Sequence, residues 1–163
     1  MKTDKKLEKI TKIIIFLIII FVIIDQLSKI LIIKFGEIII IQDIFKLSVE
    51  NSNYSSSIIT KVAQYIVVLG VITKLITSQN KFIETKMKIY LSLVLAGGIS
   101  NLIDIIVRKN IVNFINIKIG NITLPIVNLA YILILIGAIL LIANFTVFTS
   151  KEMRNKKNEK IQS

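Results

Sequence analysis

The sequence predicts an all-α membrane protein, a four-transmembrane-helix bundle that carries a small extracytoplasmic β-sheet. Composition is the first observation, because 54% of the 163 residues are hydrophobic and the mean hydropathy is +0.77. A soluble domain of this size normally carries less. The apolar residues are also gathered into four long runs, and most of the basic residues lie between or outside these runs. We therefore expect residues 1–163 to form a single integral membrane domain.

Each apolar run is close to the length of about 20 helical residues that crosses a hydrocarbon core. The second run is the weakest, because Lys61 and Lys74 bracket a short apolar centre and must extend to the two interfaces. A three-helix alternative therefore stays open. The predicted segments are helices at about 13–33, 58–77, 87–107 and 124–148, outer loops at 34–57 and 108–123, and a cytoplasmic tail at 149–163.

The first apolar run could instead be a secretory signal peptide, since five lysines precede it. The run is too long for the apolar region of a signal peptide, and no small-residue cleavage site follows it. We expect it to remain as a membrane anchor.

The net charge of +11 could indicate nucleic-acid binding, but the positions of the basic residues favour a membrane topology. Five Lys or Arg residues precede the first helix, four lie in 74–88 and five follow Phe148, whereas the two outer loops and the adjoining Lys61 account for six. The positive-inside rule places both termini and the middle loop in the cytoplasm. We expect membrane lipid as a partner, with the basic tail touching anionic lipid, and no nucleic acid.

The outer loops contain short β-type patterns rather than helical periodicity. Residues 45–49 alternate at period two, and 113–123 carries apolar residues at odd steps. Gly120-Asn121 is a plausible hairpin turn between two short strands. These segments predict a small sheet at the outer interface.

Cysteine, histidine and tryptophan are absent from the sequence. This absence excludes disulfides, thiol nucleophiles, histidine-based triads and Cys/His metal sites. We expect no metal and no cofactor.

Polar residues within the apolar runs are few, and such residues usually face a site or a partner. Asp25 and Lys29 lie four apart and share one helix face, so they can pair with each other. Asn101 and Asp104 lie three apart on a second face. Each pair could form a functional site or could only satisfy its neighbours and fix the helix register.

Four ordered blocks carry a resemblance that covers nearly the whole chain. They are DQLSK at 25–29, VENSN at 49–53, GGISNLID at 97–104 continuing into IVNF at 111–114, and PIVNLAY at 125–131. In order and spacing they resemble the lipoprotein signal peptidases, or signal peptidase II. Each short match alone would be weak.

The resemblance implies an aspartic endopeptidase of the bacterial cytoplasmic membrane, which removes a signal peptide just before a diacylglyceryl-modified cysteine. Two carboxylates suit that reaction because one activates a water while its protonated partner donates to the amide. The family's two catalytic aspartates fall at Asn113 and Tyr131 of this chain. An amide cannot take the proton of water, and a phenol ionises only well above neutral pH. The resemblance therefore predicts a catalytically impaired protein, with no functional catalytic residue.

Other departures from the family pattern are Ile105 in place of an arginine, Ser100 in place of a glycine, and Asn53 and Ser56 in place of a glycine and a phenylalanine. The retained polar residues are expected to be scaffold or substrate contacts. They are Asp25, Lys29, Asn51, Asn101, Asp104 and Asn128.

Three hypotheses follow from these residues. In the first, the impaired protein still engages lipidated prolipoproteins or a membrane partner. In the second, it is an active, divergent peptidase that uses Asp25 and Asp104. In the third, it is a non-catalytic structural or immunity-type membrane protein. Family resemblance alone does not rank them.

Overall fold

The computed structural model describes residues 2–42, 44–50, 58–77 and 85–162. The predicted fold class is confirmed, because these residues form a helical bundle with one small antiparallel sheet. The helices are α1 (Lys2–Phe35), α2 (Ile58–Thr77), α3 (Thr85–Arg108) and α4 (Leu129–Gln162), and the strands are β1 (Ile38–Ile41), β2 (Phe45–Glu50), β3 (Asn113–Ile119) and β4 (Ile122–Thr123).

Three of the described helices contain segments long and apolar enough to cross a membrane, which are Glu8–Phe35, Thr85–Arg108 and Leu129–Val147. Helix α2 carries a shorter apolar segment, Tyr65–Thr77. Among the residues that the structure describes, α2 therefore has the shortest apolar segment. Large apolar side chains on the outside of the bundle, such as Phe16 and Ile142, suit contact with lipid.

Helix α3 is the centre of the bundle and packs against each of the other three helices. More than half of its apolar segment is buried, 56% against 11% for α1 and for α4. Its Leu91 and Leu95 form an apolar core with Ile14 of α1 and with Ile72 and Ile76 of α2. Residues that α3 carries are therefore shielded from lipid by their neighbours.

Glycines allow α3 and α4 to approach closely. A Cβ atom added at Gly97 would lie 2.3 Å from the backbone oxygen of Ala130, and one added at Gly137 would lie 2.8 Å from the backbone oxygen of Tyr90. Backbone atoms cannot move aside as a flexible side chain can. The close contact between these two helices therefore depends on glycine.

We expect Gly97→Ala to lower the free energy of unfolding by about 1–3 kcal/mol, the usual cost of overpacking. Gly70→Ala is the matched control, because a Cβ atom there meets nothing within 4 Å. Alanine has the higher helix propensity, so the control should be neutral or slightly stabilising. Thermal unfolding in detergent measures both variants, and equal midpoints would contradict the expectation.

The sheet has the strand order β1-β2-β3-β4, and every neighbouring pair is antiparallel. The predicted strands at 45–49 and 113–123 are confirmed, whereas β1 adds an edge strand that the pattern did not single out. The predicted hairpin turn is also confirmed. Gly120 has a φ of 58°, which is a left-handed conformation that glycine adopts at no steric cost.

One face of the sheet packs on one end of the bundle. Phe45 and Leu47 of β2 lie opposite Ile117 and Ile115 of β3. These four side chains contact a small core that includes Ile32 of α1. The sheet is thus fixed to the helices that carry the polar residues of the site.

The predicted bounds of the first and fourth helices are corrected. Helix α4 begins at Leu129 rather than at 124, because the backbone of Val127 is hydrogen-bonded to Ile115 of β3. It extends to Gln162 rather than to 148, and α1 begins at Lys2 rather than at 13. The basic segments at both ends contain no proline or glycine, so they continue the helices.

Candidate functional site

A buried charge cluster lies between α1 and α3. The Lys29 Nζ atom lies 2.5 Å from Asp25 Oδ2 and 2.7 Å from Asp104 Oδ2, and all three side chains are fully buried. Asn101 Oδ1 accepts a further hydrogen bond from Lys29 Nζ at 3.3 Å. The predicted Asp25–Lys29 pair is confirmed, and Lys29 joins the two helix faces that the spacing identified separately.

Arg108 supplies a second positive charge that the sequence analysis missed. Its guanidinium contacts Asp104 Oδ1 and donates to Gln26 Oε1 at 2.8 Å. The family's arginine position is occupied by Ile105, which is buried and apolar. Arg108 lies one turn after Asp104 in α3, so two acidic and two basic groups balance in the cluster. The spacing of four between Asp104 and Arg108 could have predicted this pair.

Ser100, the second departure from the family pattern, is part of the cluster. Its hydroxyl donates to Asp25 Oδ2 at 2.6 Å, and Gln26 Nε2 donates to Ser100 Oγ at 2.9 Å and to Asp104 Oδ1 at 3.0 Å. Buried charges are stable only when such bonds replace their lost hydration. Ser100 and Gln26 therefore help to satisfy the hydrogen-bonding capacity of both buried carboxylates.

The start of α4 is fixed by two side chains. Asn128 is the N-cap residue, since its Oδ1 accepts the Tyr131 N–H at 2.8 Å. Asp25 reaches across from α1, and its Oδ1 accepts the Ala130 N–H at 2.9 Å. The positive end of the α4 dipole favours this carboxylate. Asp25 thus acts as a structural anchor between two helices.

Asn128 also connects this helix start to the charge cluster and to β3. Its Nδ2 lies 2.9 Å from Asn101 Oδ1, 3.0 Å from the Val112 oxygen and 3.1 Å from Asn113 Oδ1. Asn101 Nδ2 is buried and has no hydrogen-bond partner among the described residues. Asn128 therefore positions the backbone of Tyr131 and the side chain of Asn113 at once.

Asn113 and Tyr131 line one groove of about 520 Å³ along the first turns of α4. We call it the α4 groove. Asn113 is buried, with 6% of its surface exposed, whereas Leu135 is 60% exposed. Among the described residues, no carboxylate lines this groove. The other lining residues are Pro125, Ile126, Val127, Ile132, Ile134 and Ala138.

The remaining site predictions can be placed only in part. Asn51, Asn53 and Ser56 lie outside the described residues. Within the described ranges, no group of three or more acidic, histidine or cysteine side chains is arranged to hold a metal ion. The site consists instead of an apolar groove with an amide and a phenol, next to a saturated charge cluster.

This arrangement defines an integral membrane protein whose buried charges support an apolar groove near one end of a helical bundle. A family model described as signal peptidase (SPase) II matches residues 17–147. The lipoprotein signal peptidase of Clostridium tetani is 32% identical over 148 residues, covering 85% of this chain and 92% of that protein. The chain belongs to the signal peptidase II family, and it is a bacterial membrane protein.

Two further relatives match over shorter segments. The lipoprotein signal peptidases of Geobacillus thermodenitrificans and Geobacillus kaustophilus are 38% and 36% identical over 66 residues, which is 40% of this chain. The match spans 41% and 43% of their respective lengths.

Two solved structures described as bacterial membrane enzymes share the fold. One has a TM-score of 0.74 and 24% identity, covering 86% of this chain and 91% of that chain. The other has a TM-score of 0.68 and 23% identity, covering 82% and 92%.

Proposed function

We propose that this chain is a signal-peptidase-II-like membrane protein that lacks peptidase activity and binds the signal segment of lipidated prolipoproteins in the α4 groove. One observation carries the proposal. The two positions at which the resemblance implies catalytic aspartates, Asn113 and Tyr131, both line this groove, and no described lining residue is a carboxylate. The groove can therefore bind a peptide without activating the water that would cleave it.

The groove chemistry suits an apolar peptide segment that carries a few polar groups. Its walls are aliphatic, so they favour apolar side chains or an acyl chain. The Asn113 amide offers hydrogen bonds to backbone groups, and the Tyr131 ring adds contact area with a polar tip. The relatives that match this chain, over 85% of its length in one case and 40% in another, are named lipoprotein signal peptidases. Their name supports a lipoprotein signal segment as the ligand of this groove.

A catalytic role for Asp25 and Asp104 is disfavoured by their contacts. Both side chains are fully buried, and the Lys29 ammonium lies between them. Asp25 also accepts bonds from Ser100 and from the Ala130 N–H, and Asp104 accepts one from the Val112 N–H at 3.1 Å. A catalytic pair needs a shared proton and access to water. The two carboxylates are already occupied by these partners, and the Lys29 ammonium lies between them, so they are not placed to share a proton or to bind water.

The same proposal assigns a topology with both termini in the cytoplasm and the sheet outside. It is supported by the excess of Lys and Arg in the end segments and in 74–88. The groove and the sheet then lie at the outer interface, where a signal segment ends and the mature lipoprotein begins.

A crosslinking experiment tests binding directly. A photoreactive residue placed at Leu135, which lines the groove and is 60% exposed, should crosslink to a prolipoprotein precursor in membranes. The same residue placed at Ile142 is the matched control, because it lies on the same helix with 65% exposure but does not line the groove. We expect at least a fivefold preference for position 135, read by immunoblotting of the lipoprotein.

Crosslinking at neither position, or at both positions equally, would refute specific binding. The structural or immunity-type alternative would then gain, and substitutions at the retained polar residues should alter folding without altering any prolipoprotein contact.

A further inference from the structure

A second cavity of about 410 Å³ lies on the sheet, and we call it the sheet pocket. Four of its polar lining residues share one face of the sheet by register, because Lys46 lies opposite Asn116, and Lys118 lies opposite Thr123. Asn116 and Lys118 are two apart on β3, so their side chains point to the same side. The pocket adjoins the α4 groove only at Ile126.

Lys118 in the sheet pocket has no counter-ion among the residues that the structure describes. Lys46 Nζ lies 2.9 Å from Glu37 Oε2, and both side chains are about half exposed. Lys118 Nζ has no ion pair or hydrogen bond within the part of the chain that the structure describes, although the Lys118 backbone N–H donates to the Ile44 oxygen at 2.8 Å. Glu37 is the single acidic residue in the described lining, which therefore carries a net positive charge.

The position of the sheet places this pocket next to the bilayer boundary. Only Gly36 and Glu37 separate the end of α1 from β1. Three strongly exposed isoleucines line the pocket, and they would be unfavourable in water but are suited to the acyl boundary of a membrane. They are Ile39 (63%), Ile41 (50%) and Ile44 (50%).

We propose that the sheet pocket binds the phosphate of an anionic phospholipid headgroup. The Lys118 and Lys46 ammonium groups supply the positive charge, and the Thr123 hydroxyl can donate a further hydrogen bond. The surrounding isoleucines contact the acyl region, so the protein recognises the charged headgroup and the apolar part of one molecule. This inference does not depend on whether the α4 groove binds or cleaves a peptide.

Native mass spectrometry of the purified full chain tests the proposal by titration with phosphatidylglycerol and with phosphatidylcholine. We expect one phosphatidylglycerol to bind roughly tenfold more tightly than phosphatidylcholine, since each lysine near an anionic lipid contributes measurably. Lys118→Gln should abolish most of this preference, and Lys118→Arg should retain it. Lys109→Gln is the matched control, because Lys109 is also exposed at the end of α3 but does not line the pocket.

Three results would overturn the proposal. The first is equal affinity for the two lipids, and the second is an equal loss of preference in Lys109→Gln and Lys118→Gln. The third is displacement of the lipid by inorganic phosphate or by an acidic peptide at equal concentration, because the site would then bind anions in general and would not be selective for a phospholipid. Thermal unfolding of each variant in detergent shows that a lost preference is not a loss of fold.

Discussion

The double variant Asn113→Asp, Tyr131→Asp is expected to produce mature lipoprotein, whereas the unaltered chain produces none. Both positions line the α4 groove, and Asn128 holds the Asn113 side chain at 3.1 Å and the Tyr131 N–H at 2.8 Å. An aspartate at 113 keeps the acceptor that Asn128 uses. Two carboxylates in one groove would share a proton, which is the state that activates water. We expect at least ~100-fold more product than background, as general acid–base catalysis commonly supplies.

The measurement is prolipoprotein processing in bacterial cells depleted of their own signal peptidase II. Each single variant is a control, and neither should cleave, because one carboxylate cannot serve as both acid and base in the same step. Mature lipoprotein from the unaltered chain would refute the proposed inactivity and return attention to Asp25 and Asp104. If the double variant inserts stably and does not cleave, the cleft has diverged beyond its two acids.

Replacement of Lys29 by methionine should destabilise the protein more than any other single substitution considered. The variant Lys29→Met leaves the buried carboxylates of Asp25 and Asp104 without the ammonium between them. Removing one partner of a buried ion pair costs about 3–5 kcal/mol. Because two acids lose their shared partner, we expect a loss at or above the upper end of this range. Chemical unfolding in detergent measures the change.

Lys34→Met is the matched control, since it makes the same substitution one turn and a half later on α1. The Lys34 Nζ atom lies 5.6 Å from the centroid of the Phe35 ring, a contact worth about 0.5–1 kcal/mol at an exposed site. Equal unfolding midpoints for the two variants would show that the buried charges do not support the bundle. A failure of Lys29→Met alone to accumulate in membranes would agree with the expected loss.

Several features of the site follow from local spacing and could be predicted. Asp25 and Lys29 are one helical turn apart, so their pairing needs only a helix. The Gly120-Asn121 turn also depends on adjacent residues, because glycine accepts the left-handed conformation there. The helices could be predicted from the apolar runs, because each run is a continuous local segment of the sequence.

Other features depend on contacts between distant segments and could not be predicted in this way. Asp25 caps the start of α4, more than one hundred residues away in sequence, with the Ala130 N–H at 2.9 Å. The delayed start of α4 depends on the pairing of Val127 with Ile115. Arg108 also donates to Gln26 Oε1 of α1 at 2.8 Å, a contact that depends on the packing of α1 against α3.

The sequence by itself determined the membrane class, the helical runs and the absence of carboxylates at positions 113 and 131, since composition and residue identity decide these properties. Tertiary structure alone decided that Lys29 lies between Asp25 and Asp104, and that Asn113 and Tyr131 line one groove. The physical reason is that the partners of a buried charged group are determined by which side chains the tertiary packing places next to it. The packing of α1 and α4 against α3 brings these side chains together, and no local sequence pattern predicts that packing.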